Sequence, residues 1–140
     1  MISSSYSFAS TGKIDENREQ TAQKLVQARE KLSSKKYDDV IEILTPLFAS
    51  ERNKDVGMTL ADAWLGNNDP VMAMEIIETV DIDPEILPEN VKDLLYRTGV
   101  ALEQAKKVKE ALRMYDMICN VDINYKDAFD RSDRLYSKQG

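Results

Sequence analysis

The 140-residue chain contains no histidine. That removes the commonest general base and a common metal ligand, and with them any serine–histidine or cysteine–histidine nucleophile. Cysteine occurs once, as Cys119, so no internal disulfide framework can form and a reducing compartment suits the chain. Glycine (5) and proline (4) are sparse, and β-branched runs are scarce, which leaves long stretches of Ala, Leu, Lys, Glu and Gln that favour helix. No apolar run approaches the ~18 residues of a transmembrane helix. The opening Met-Ile-Ser-Ser-Ser-Tyr-Ser-Phe has neither the basic nor the apolar region of a signal peptide. A cytoplasmic location without membrane association is therefore expected. Neither a Gly-x-x-x-x-Gly-Lys-Ser/Thr nor a Gly-x-Gly-x-x-Gly run is present to cradle phosphate. Asp81, Asp83 and Glu85 are dense in acid but lack the glycine and ligand spacing of an EF-hand. No cofactor, no metal and no catalytic residue are expected, and the chain reads as a non-enzyme.

Apolar residues make up 42% and charged residues 31% of the chain, enough for one domain with a continuous core. Net charge is −6, but its distribution says more than its sum. Residues 1–36 hold seven Lys/Arg and four Asp/Glu, residues 37–96 hold three and fourteen, and residues 97–140 hold nine and seven. The middle, at −11, repels phosphate backbones, so nucleic acid is excluded as a partner. It suits a basic peptide or protein face. The same acids also read simply as solvated outer helix faces.

Self-similarity runs through the chain. Ala28 and Val40, Ala61 and Ala73, and Gly99 and Ala111 form pairs of small or compact residues, each twelve residues apart. The pairs are offset by 33 and then 38 residues. Four residues after the second member stands a large apolar side chain (Leu44, Ile77, Tyr115), and three further on Leu47, Val80 or Ile118. The spacing predicts three pairs of antiparallel helices, with the small residues where the helices cross closely. A larger side chain at such a crossing overpacks at about 1–3 kcal/mol.

The pattern resembles the tetratricopeptide repeat, whose period is about 34 residues with an aromatic/Leu–Gly–Tyr…Ala…Phe…Pro signature. The second unit matches through Leu60-Ala61-x-x-Trp64 and Ala73-x-x-x-Ile77. The third matches through Leu95-x-x-Thr98-Gly99 and Ala111-x-x-x-Tyr115, and the first, more degenerate, through Gln27-Ala28-x-x-Lys31, Tyr37-Asp38-Asp39-Val40 and Leu44. The usual terminal proline is missing at Arg52, Glu85 and Ile123, with Pro84 one residue early. The resemblance spans residues 20–138 and implies an all-α, right-handed solenoid of three helix pairs plus a C-terminal capping helix.

The expected organisation is a disordered serine-rich tail at 1–13, then a repeat domain at 14–140. Its units fall at about 21–53, 54–88 and 89–124, with the cap at 125–138. Asp69-Pro70 reads as an N-cap with proline at the first helical position, after a turn at Leu65-Gly66-Asn67-Asn68. Pro88 with Glu89 opens unit three, residues 81–87 form a longer loop, and Pro46 should bend or end its helix. In the cap, Ala128, Phe129, Leu135 and Tyr136 are the expected inner residues. Cys119 follows the stripe of Leu112, Tyr115 and Ile118 and reads as a buried structural thiol. Met58, Met72, Met74, Met114 and Met117 read either as an adaptable surface or as core.

In the tetratricopeptide family the first helix of each pair lines a concave groove for a partner's peptide or helix. The matching positions are Ala22, Leu25, Arg29 and Leu32 in unit one, Asp55, Met58, Asp62 and Leu65 in unit two, and Asp93, Tyr96, Val100 and Glu103 in unit three. They lie off the stripe inside each pair, so Leu25, Met58 and Tyr96 face either a partner or a neighbouring unit. A subclass of the family clamps a carboxylate with Lys and Asn. Leu25, Arg29, Thr59, Asp93 and Arg97 stand at those positions, and only the two arginines could serve, so that ligand is disfavoured. The expected function is a protein-interaction scaffold whose partner is basic and carries apolar anchors. The alternative is a structural or regulatory module of a larger protein or assembly, its groove filled by self-association or by Tyr6 and Phe8 of the tail.

Overall fold

The computed structural model describes the backbone of residues 2–139 and the side chains of residues 18–138. The described residues form seven α-helices and no strand: α1 (Ile2–Ser33), α2 (Tyr37–Glu51), α3 (Lys54–Gly66), α4 (Pro70–Thr79), α5 (Glu89–Gln104), α6 (Val108–Cys119) and α7 (Ala128–Gln139). Each helix packs on the next in the chain. In addition α1 touches α3, α3 touches α5, and α4 touches α6, so alternate helices share faces.

The first three odd-to-even turns have one geometry. Lys35, Asn68 and Lys106 have φ of 60°, 63° and 64°, each two residues before the next helix. The following residue's N–H reaches back five residues to a carbonyl: Lys36 to Lys31 at 2.9 Å, Asp69 to Trp64 at 3.0 Å, and Lys107 to Leu102 at 2.8 Å. This six-to-one bond closes a Schellman cap. Its left-handed position is filled by Lys or Asn where glycine is usual, so each turn carries some backbone strain.

Local signals also set the starts. The Asn53 carboxamide oxygen accepts from the N–H groups of Asp55 (2.8 Å) and Val56 (3.2 Å) at the head of α3. Asp69 accepts from Met72 N–H at 3.1 Å, with Pro70 as the first residue of α4. The long loop between α4 and α5 ends at Pro88, which is the cap residue of α5.

Three expectations need correction. The segment 1–13 was expected as a disordered tail, yet α1 runs back to Ile2. Its propagation adds one hydrogen bond per residue to an existing helix and meets no proline. The tail anchors Tyr6 and Phe8 lie outside the residues whose side chains are described. Of the two outcomes expected at Pro46, a bend or an end, the end does not occur: α2 continues to Glu51, with buried Leu44 and Phe48 docking it on both sides of the proline. The cap starts at Ala128 rather than Tyr125. Of its four expected inner residues only Ala128 and Leu135 are buried, while Phe129 and Tyr136 are 47% and 52% exposed. At about 100° per residue, positions 128, 132 and 135 share one face and positions 129 and 136 lie on its flank. Ser132 is accordingly buried in place of the aromatics.

The repeated small residues all lie in the core: Ala28, Val40, Ala61, Ala73 and Ala111 are fully inaccessible and Gly99 is buried. The contact at Gly99 leaves no room for a side chain, for a Cβ there would lie 2.6 Å from Cε1 of Tyr115. Met58, Met74 and Met114 are core residues, while Met72 and Met117 are half-buried against it. Cys119 is half-buried rather than enclosed. Burial, and then the nearby Asp116 and Asp122 carboxylates, push its thiol above the ordinary value.

Candidate functional site

The residues expected to face a partner come from α1, α3 and α5, which touch in that order. They line three adjoining clefts. The first holds Ala22 and Leu25 of α1 against Glu51, Asn53 and Asp55, with Arg18 at its edge. The second, about 220 Å³, brings Arg29 and Leu32 together with Asp55, Met58, Thr59 and Asp62 of α3. Asn90, Asp93, Leu94 and Arg97 of α5 close its far wall. The third, about 350 Å³, lies between Tyr37, Leu65 and Gly66 on one side and Tyr96, Val100 and Ala101 on the other. Asp55 is common to the first two clefts, and Asp62 with Arg97 to the last two. The clefts therefore join into one groove.

Of the candidates, Leu25 and Met58 are each only 9% exposed, so they form floor and spend most of their surface on neighbouring helices. Leu32, Leu65, Tyr96 and Val100 are half-buried and keep apolar surface open to the groove. Glu103 lies outside all three clefts. Its carboxylate accepts from the Tyr115 hydroxyl at 2.9 Å and from Arg131 at 3.2 Å, which ties α5 to α6 and α7.

Arg97 organises the charges. Its guanidinium bonds both carboxylate oxygens of Asp62 (2.9 and 3.2 Å), and its Nε donates to Asp93 at 2.8 Å. Lys126 adds a bond to Asp93 at 3.2 Å. The hydrogen bond to Asp62 holds Arg97 above its ordinary value in spite of burial. Burial works to raise the Asp93 carboxyl, but its bonds to Arg97 and Lys126 win and leave it below the ordinary value. Beside this cluster the Tyr96 hydroxyl donates to Asp127, which raises the phenol and lowers the carboxyl. Asp62 and Asp93 are thus already neutralised. Asp55 makes no ion pair among the described residues.

Arg97 is the residue whose part in the groove sequence reasoning missed, having weighed it only for a carboxylate clamp. Its spacing of four from Asp93 was a readable signal, whereas its pairing with Asp62 across 35 residues depends on how α3 meets α5. Most acids of the middle segment lie elsewhere. Neither α2 nor α4 contains any Lys or Arg, and between them they hold Asp38, Asp39, Glu42, Glu75 and Glu78 outside the three clefts, with Glu51 at the first. Among the described residues no group of three Cys, Asp or Glu is placed to hold a metal ion. No protein-family model matches the chain, and no curated protein matches its sequence.

Proposed function

We propose that the chain is a tetratricopeptide-like interaction scaffold, a right-handed solenoid of three helix pairs capped by α7, whose groove receives a segment of a partner protein. The observation that carries this reading is the continuous groove across α1, α3 and α5, which offers apolar surface from Leu32, Leu65, Tyr96 and Val100 and in which Arg97 pairs Asp62 and Asp93. The repeat reading draws support from the backbone. The three Schellman turns are offset by 33 and 38 residues, the same offsets as the small-residue pairs. In this reading a partner's apolar side chains seat on Leu32, Leu65, Tyr96 and Val100, and one Lys or Arg meets Asp55. The apolar contacts supply most of the affinity, because an exposed ion pair contributes only about 0–1 kcal/mol. In this reading the chain binds without catalysing, and a cytoplasmic setting fits its single cysteine.

The test is selection of displayed fifteen-residue peptides against the wild-type chain, followed by affinity measurement against Val100→Arg and Asp55→Lys. Groove binders should carry paired apolar residues and one base, and should lose about tenfold in affinity toward Val100→Arg. Binders that fail to distinguish Val100→Arg from wild type would refute groove recognition.

Self-association within an assembly is the second reading, favoured by exposed Phe129 and Tyr136 on the flank of α7. Sedimentation of wild type beside Phe129→Glu decides it: a dimer lost in the variant supports the reading, and a wild-type monomer at high concentration removes it.

A further inference from the structure

The helix α3 has a second face on which some apolar surface stays open. Positions 58 and 60 lie about 200° apart around a helix, so Leu60 and Trp64 point away from the groove side occupied by Met58 and Asp62. There they meet Phe48 and Ala49 of α2 and Met72 and Ile76 of α4 around a cavity of about 240 Å³ whose walls are almost wholly apolar. Trp64 and Met72 are half-buried and Ala49 is exposed, so the cavity opens to the surface. Helices α2 and α4, which frame it, are the two that carry acids and no base.

The charges around this cleft are ordered. Thr45, Ala49 and Arg52 lie along its α2 side, and Glu42 stands one turn before Thr45 on the same stripe. On α4, Glu75 lies one turn after Met72 and next to Ile76. Glu42 and Glu75 are exposed and make no ion pair among the described residues. Arg52 closes the opposite end, its guanidinium 5.4 Å above the Phe48 ring, about 15 Å along α2 from Glu42. The cleft is therefore apolar in the middle, cationic at one end of α2 and anionic toward the other. In the groove, by contrast, Asp62 and Asp93 are matched internally by Arg97.

We propose that this back cleft is a second docking site, for a basic segment of a partner protein that inserts one large apolar side chain beside Trp64 and sets Lys or Arg against Glu42 and Glu75. Charge complementarity selects this occupant. An acidic segment would meet one cation, Arg52, against two unpaired carboxylates, Glu42 and Glu75, so the balance of charge about the cleft favours a base. The inserted side chain supplies the affinity, and the rim acids supply on-rate and selectivity.

Trp64 is the only tryptophan in the chain, so its emission reports occupancy of the cleft directly. The probe is a capped peptide with a Leu-Phe-Leu centre flanked by two lysines on each side, with a glutamate-flanked peptide as its counterpart. The lysine peptide should shift Trp64 emission to the blue in a saturable way, and the glutamate peptide should bind at least tenfold more weakly. Ala49→Arg, at an exposed position on the cleft wall, should weaken the lysine peptide about tenfold. Glu42→Lys with Glu75→Lys should weaken it severalfold and reduce its salt dependence, and Asp133→Lys, at an exposed position on α7, should leave it unchanged. The two peptides compared on wild-type protein keep the test decisive even if a variant fails to fold. Three results overturn the proposal: no saturable emission change, equal binding of the two peptides, or an emission change that follows protein concentration without peptide, which would assign the cleft to a second copy.

Discussion

Replacing Gly99 by alanine sets two effects of opposite sign against each other. Gly99 sits inside α5, where alanine is favoured over glycine by about 1 kcal/mol through helix propensity. On propensity alone the variant gains stability. The packing argues otherwise. An added Cβ lies 2.6 Å from Cε1 and 3.0 Å from Cδ1 and Cζ of Tyr115, about 1 Å inside an ordinary carbon–carbon contact. Tyr115 cannot yield easily. It is fully buried, its hydroxyl donates to Glu103 at 2.9 Å, and its ring centroid stands 6.3 Å from that of Tyr96. Overpacking against such a ring costs about 1–3 kcal/mol, so a net loss of about 1 kcal/mol is expected, roughly 4 °C in the midpoint of a domain near this size. Urea unfolding followed by far-ultraviolet circular dichroism measures it, and a double-mutant cycle isolates the cause. In a Tyr115→Leu background the obstruction is gone, and Gly99→Ala should become neutral or stabilising by up to about 1 kcal/mol. A wild-type background stabilised by Gly99→Ala would show that α5 and α6 do not cross closely there.

Ala73→Leu and Ala111→Leu each place a larger side chain at a fully buried position and should cost about 1–3 kcal/mol in the same assay; undiminished stability of both would mean that the crossing points are misplaced. Lys106→Gly should stabilise the chain by about 1 kcal/mol, because φ of 64° strains a lysine and not a glycine. Lys35→Gly is its replicate, and a fall in stability for both would contradict the Schellman geometry. Asp93 and Asp127 both titrate below their ordinary value when folded. The stability they contribute is thus present above the unfolded value of about 4 and drains away as pH falls through the lower folded values. Thermal midpoints at pH 7 and pH 3 should show a smaller acid loss for Asp93→Asn with Asp127→Asn than for wild type, and equal losses would refute the assignment.

What the sequence made legible was local or periodic. The twelve-residue pairs were readable as interior positions because small residues recur there at a fixed spacing, and each of Ala28, Ala61, Ala73 and Ala111 is fully inaccessible. Asp69-Pro70 was readable because the cap bond to Met72 spans three residues. The cap helix was misread at Phe129 and Tyr136 because an apolar stripe is buried only where a second element covers it, and α7 packs chiefly on α6. The back cleft was hidden for the reverse reason. Phe48, Leu60 and Ile76 are core residues by pattern and by burial, and nothing in their spacing tells that Trp64 and Met72 stop short of closing over them.

Charge shows the same limit more sharply. The count of −11 over residues 37–96 invites the view that the groove within it is acidic, yet pairing across the helices redistributes that charge. Arg97 and Lys126, both outside the segment, neutralise Asp62 and Asp93, and Arg113 bonds Glu78 at 2.9 Å. The cations of the last third reach back about one unit, across 33 to 35 residues, so apart from Asp55 most of the charge left over belongs to α2, the exposed side of α4 and the loop of Asp81, Asp83 and Glu85. A basic partner approaching this chain at low salt is drawn first toward that side, since rim charges act on the encounter within about one Debye length. The groove, where Arg97 already pairs Asp62 and Asp93 and Asp55 is the acid left for a partner, selects mainly by shape and apolar fit. Salt should therefore separate the two surfaces: contacts on the back weaken steeply as ionic strength rises, while contacts in the groove change little.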